Sequence, residues 1–120
     1  MMEQIRKYTN VTLETESKKL EGFSSIVLDK YLNGLEKGYA EYMIIAPDEP
    51  VNGCSFIQIC PDREEGKFHL EVSIVNENQN YLYGNEPYSI DEIGNIFRDY
   101  LDSGIVPDVD GWELIGKFIR

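Results

Sequence analysis

Between residues 39 and 83 the chain repeats one pattern: a short apolar run, then a cluster of turn-forming residues. Residues 39–46 carry Tyr42, Met43, Ile44 and Ile45, and Pro47 stops the run. Residues 48–53 (DEPVNG) read as a turn. Residues 54–60 are apolar on both faces, which suits a central strand. After the turn at 61–66, Phe68, Leu70, Val72 and Ile74 alternate with His69, Glu71 and Ser73, the period of a strand buried on one side. A polar turn at 76–80 leads into a short strand, Tyr81-Leu82-Tyr83. Strands at such regular spacing point to an antiparallel meander.

Two helical patterns bracket this block. In residues 24–36, Leu28, Tyr31, Leu32 and Leu35 recur at helical spacing, with Ser24 or Ser25 as the cap and Gly38 suited to the left-handed position after the end. Leu20 and Phe23 either extend this helix backwards or form its entry turn. The second helix opens with a capping box, Ser89 with Glu92 three residues on, and Tyr88 and Ile93 occupy hydrophobic-staple positions. Ile93, Phe97, Tyr100 and Leu101 form its buried stripe; Gly94 reads as a point of close packing, and Gly104 and Pro107 end the helix. Residues 8–14 alternate as a first strand, and the polar run 15–19 breaks it. Residues 112–119 form a last strand, with Trp112, Leu114 and Gly116 on one face. The expected order is β-α-β-β-β-β-α-β. It is an α+β domain with a mainly antiparallel sheet of about five to six strands and two helices.

At 120 residues the chain is long enough for one domain spanning residues 1–120, and no linker or repeat divides it. A chain of this size buries roughly 65% of its unfolded surface, so it needs no covalent staples. Lys and Arg number 11 against 22 Asp and Glu, a net charge of −11. Phosphate neutralisation needs clustered cations, so this balance argues against nucleic acid and against an anionic membrane surface as partners. No apolar run is long enough for a membrane span, and the first residues lack the apolar core of a signal peptide. The expected setting is therefore a reducing cytoplasm, with Cys54 and Cys60 as free thiols.

Each candidate for chemistry has a simpler reading. His69 lies opposite the apolar face of its strand, and Glu71 on the same side could orient it as a base, but no nucleophile accompanies them. Cys54 and Cys60, at an even offset, are expected on one face of a strand, too far apart to bond. A zinc site of thiols and imidazoles needs four ligands where the chain has three such residues in all. Asp108-Val109-Asp110-Gly111 resembles a piece of a calcium loop but lacks the third ligand, and it reads equally as a turn. The carboxylate pairs Asp48/Glu49, Glu64/Glu65 and Asp91/Glu92 fall at turns or a helix start, where solvation accounts for them. The expectation is no catalytic residue, no metal and no cofactor.

Charge distribution is more informative. Residues 86–113 hold eight acidic residues and one basic residue, Arg98, a net of −7; the rest of the chain holds fourteen acidic and ten basic. Asp91 and Glu92 favour the start of a helix, but Asp99 and Asp102 lie near its end, where the dipole disfavours them. Such a patch steers a cationic protein onto its surface. The residues expected to contact a partner are Glu86, Asp91, Asp99, Asp102, Asp108 and Asp110, with Tyr83 and Tyr88 as aromatic anchors.

Residues 89–104, SIDEIGNIFRDYLDSG, form an amphipathic helix closed by a small residue and Gly. The turn Gly104-Ile105-Val106-Pro107 and a last strand bearing Trp112 follow. This quarter of the chain resembles the small α+β immunity proteins of bacterial polymorphic toxin systems, particularly the group encoded beside deaminase toxins. The resemblance implies a non-enzymatic cytoplasmic protein that binds and blocks a cognate toxin domain. Combined with the charge pattern, it gives the expectation of a basic toxin engaged through an acidic surface. The alternative expectation is a secretion-chaperone or adaptor module that binds an extended segment.

Overall fold

The computed structural model describes residues 5–119. Its elements in chain order are β1 (Lys7–Glu14), β2 (Lys19–Ser24), α1 (Ser25–Glu36), β3 (Met43–Pro47), β4 (Cys54–Pro61), β5 (Phe68–Asn76), β6 (Gln79–Tyr88), α2 (Ile90–Ser103) and β7 (Glu113–Ile119). The strands form one sheet in the order β2-β1-β3-β4-β5-β6-β7, antiparallel at every junction. The chain is thus a single compact α+β unit dominated by its sheet.

The additional strand is β2. Leu20 and Phe23 belong neither to the helix nor to its entry turn; they pair with Leu13 and Tyr8 of β1. Simple alternation hides this hairpin because a register shift interrupts it between Tyr8 and Thr12, with Asn10 at φ 58° and Gly22 at φ 81°. A Cβ on Gly22 would also stand 3.3 Å from the Tyr8 carbonyl oxygen, so glycine fits both the space and the angle. The strand expected at 81–83 also grows in both directions into β6.

Both helices are capped as expected. Ser24 Oγ accepts from the Val27 amide at 3.2 Å. Ser89 Oγ accepts from the Glu92 amide at 3.1 Å, while Glu92 Oε1 accepts from the Ser89 amide at 2.9 Å. Gly104 takes the left-handed conformation that ends α2. Leu28, Leu32 and Leu35 of α1 and Ile93, Phe97 and Tyr100 of α2 join Leu13, Met43, Ile45, Ile57, Ile59, Leu70 and Val72 of the sheet in one buried cluster. Full burial of each such side chain contributes about 1.5–3 kcal/mol over leaving it exposed. Gly94 does permit close packing, but of a side chain: the Arg98 guanidinium lies 2.7 Å from where a Cβ would stand, and from there it reaches Asp29 of α1 at 2.9 Å.

Two bulges overturn expected face assignments. The register shifts between Cys54 and Phe56, so Cys54 turns into the helix-side core, while Phe56, Gln58 and Cys60 face the other way. The two cysteines therefore lie on opposite faces. A second shift, opposite Leu82 and Tyr83, sets Leu114 beside Tyr83 and Gly116 beside Leu82. Leu114 and Gly116 accordingly face opposite sides. Since both helices pack on one face, the second face of the sheet stays open.

Candidate functional site

Three strands at the centre of the open face bring polar side chains into one chain of contacts. His69 and Glu71 project from β5 on the side opposite Phe68, Leu70 and Val72. Gln58 of β4 pairs with Glu71 across the ladder, and its amide donates to Glu71 Oε1. Glu71 Oε2 lies 2.9 Å from His69 Nε2, so the orienting carboxylate expected from the sequence is in place. His69 Nδ1 lies 2.7 Å from Glu86 Oε2. A register shift between Phe68 and Leu70 lets Glu86 reach over this face, while Asn85 and Tyr88 pair with the core-facing residues. Asp62, in the turn after β4, completes the group. Asp62, His69 and Glu86 each offer a ligand atom within 4.8 Å of the others, the one such set among the described residues.

Electrostatics follow from this arrangement. Partial burial works against charge on His69, but the bonds from Glu86 and Glu71 outweigh it and hold the imidazole above its ordinary value. Cys60 stands directly across the ladder from His69. Burial first, then the carboxylates of Glu71, Asp62 and Glu86, push its thiol up, which makes it a poor nucleophile at neutral pH. Tyr42, Ile44, Gln58, Ile59, Cys60, His69 and Glu71 line a shallow pocket of about 270 Å³ at this place.

The acidic residues singled out in the sequence divide among different surroundings. Asp91, Asp99, Asp108 and Asp110 are exposed on α2 and the loop that follows it. Asp108 Oδ1 accepts from the Asp110 amide at 3.0 Å, and the Trp112 amide bonds the Val109 carbonyl, so the calcium-like tetrapeptide is a turn. Asp102 instead accepts from the Tyr8 hydroxyl and lies near Arg6. Glu86 belongs to the His69 group on the open face. Tyr83 is half-buried beside Val72 and Leu114. Tyr88 packs on the core with its ring 6.3 Å from Trp112, and its hydroxyl accepts from Asn85.

The His69 cluster escaped sequence reasoning because Asp62, His69 and Glu86 follow no motif spacing. Only the meander brings the three together, and the His69–Glu71 step of two was its single local sign. Among the described residues no helix is long and apolar enough to cross a membrane. Comparison with protein families, with curated proteins and with solved structures finds no match to this chain.

Proposed function

We propose that the protein is a non-catalytic binding module of the immunity type, which blocks a basic toxin domain through the acidic surface of α2 and the loop after it. One observation carries this reading. Asp91, Asp99, Asp108 and Asp110 are exposed, and among the described residues none of them ion-pairs with a lysine or arginine. Arg98, the single cation of α2, is turned towards Asp29 of α1. The field of this surface is therefore not neutralised from within, and it steers a cationic partner. The raised thiol of Cys60, beside the only histidine of the chain, supports a role without catalysis.

The test is affinity capture from source-cell lysate at low and high salt, with the wild-type chain and an Asp99→Lys/Asp110→Lys variant. These two positions are preferred to Asp102, whose carboxylate has structural partners. The expected result is a basic protein held by wild type at low salt, released by salt, and lost from the variant. Its enzymatic activity should fall when the wild-type chain is added. Capture that ignores both salt and charge reversal overturns the reading.

A second reading, capture of an extended segment, rests on β7. This edge strand leaves Leu114, Ile115, Phe118 and Ile119 exposed, and Phe118 stacks on Phe56 at 6.3 Å on the open face. An unpaired edge with apolar side chains can add a partner strand. Retention that survives Asp99→Lys/Asp110→Lys but fails with Ile115→Lys favours it.

A further inference from the structure

We propose that Asp62, His69 and Glu86 form a site for a zinc-class divalent cation, with Glu71 as the carboxylate that orients the imidazole from behind. The site lies on the open face of the sheet, opposite the helices, and shares no residue with the binding surface on α2.

The donor set is suitable in kind. One imidazole with two carboxylates matches borderline cations such as zinc better than calcium or magnesium, which take oxygen ligands throughout. The orientation is suitable too. A metal-bound histidine donates its second ring N–H to a carboxylate, which fixes the tautomer. Here Nε2 faces Glu71 at 2.9 Å, leaving Nδ1 to face Glu86 at 2.7 Å. Glu71 is itself held by the Gln58 amide. Its supporting role therefore comes from a fixed group.

Spacing agrees with this assignment. Donors bound at about 2.0–2.2 Å to one ion lie about 2.9–3.5 Å from one another. His69 Nδ1 and Glu86 Oε2 already approach to 2.7 Å, and all three donor atoms lie within 4.8 Å of one another. Binding one ion requires the His69–Glu86 pair to open slightly and the set as a whole to draw together. The backbone is in place as well: Asp62 is fixed by the turn bond from its amide to the Lys67 carbonyl, and His69 and Glu86 sit on neighbouring paired strands.

Charge adds a reason. Three carboxylates surround one imidazole, and the Asp62 and Glu86 donor atoms lie within 4.8 Å of each other. Even a protonated imidazole leaves this group net negative. A dication held by Asp62 and Glu86 offsets this concentration of negative charge. Three protein ligands also leave a coordination position free, next to the pocket that Tyr42, Ile44 and Cys60 help to line.

The experiment uses the full chain, free of any affinity tag and treated with chelator, titrated with zinc chloride by calorimetry and followed by thermal unfolding. The expected result is about one zinc per chain and a Tm raised by several degrees with excess metal. His69→Ala and Glu86→Gln should each abolish saturable binding. Glu71→Gln should weaken it about 10–100-fold, the usual effect of losing an orienting partner. Cys60→Ser should leave it unchanged. Circular dichroism and the metal-free Tm confirm that each variant is folded. No saturable zinc heat in the wild type overturns the proposal, as does equal affinity for magnesium. Binding that survives Glu86→Gln but disappears with Cys60→Ser assigns the metal to the thiol and overturns it too.

Discussion

The Tyr8 hydroxyl donates to Asp102 Oδ1 at 2.7 Å, joining β1 to the last turn of α2 across 94 residues of chain. Arg6 approaches the same carboxylate at 3.8 Å. A carboxylate at the end of a helix is disfavoured by the dipole, and here the tertiary structure supplies its compensation. Tyr8→Phe removes the donor and leaves the partly buried carboxylate with the distant Arg6. The variant should lose about 1–2 kcal/mol, the low end for a bond to a charged group because the carboxylate is partly solvated, read as a lower urea midpoint with unchanged slope. An unchanged midpoint would return Asp102 to the set of residues free for a partner.

Alkaline pH should weaken the fold before it reaches the ordinary range of lysine. Burial pushes the Cys54 thiol from 9.0 up to about 11. Burial, then the bond to Asp102, pushes Tyr8 from 10.0 up to about 12. Tyr100, whose hydroxyl donates to the Cys54 carbonyl, is also raised by burial. In each case the folded protein keeps a proton that the unfolded chain releases. The unfolded state then binds fewer protons, so stability falls as pH rises. The contribution is complete below about pH 9 and is lost progressively between about 9 and 12. Urea midpoints at pH 7, 9 and 10.5 should decrease in that order, and a flat series would contradict the burial of these groups.

Gly84 governs how β7 seats on β6. A Cβ there would stand 2.2 Å from Ile115 Cδ1 and 3.1 Å from the His69 ring. Gly84→Ala should therefore displace Ile115, cost about 1–2 kcal/mol through overpacking, and speed amide exchange in β7 ahead of the core strands. Adding Ile115→Ala should recover most of the loss. If the double variant is as unstable as the single one, the glycine serves the backbone rather than the contact.

Several elements were legible because their causes are local. The Ser89–Glu92 capping box, the Gly104 stop and the alternation of β5 depend on residues within one turn or one strand. The hairpin of β1 with β2 was not, since its irregular residues Asn10 and Gly22 break the period that sequence patterns rely on. The acidic surface was legible only in part. Composition located its charge, but pairing removed Asp102 to Tyr8 and Glu86 to His69.

By itself the sequence determined the α+β class, the bracketing of a strand meander by two amphipathic helices, the helix caps, and the concentration of negative charge in residues 86–113. These follow from periodicity, capping chemistry and counting, all of which act over short distances along the chain. Only the tertiary structure decided which face each side chain takes beyond a bulge. It sent Cys54 into the core and Cys60 outward, and set Leu114 and Gly116 on opposite sides. One inserted residue inverts the alternation of everything that follows it, and the insertion is fixed by pairing with another strand. For the same reason the meeting of Asp62, His69 and Glu86 belongs to the sheet: cross-strand register, not separation in sequence, sets their distances.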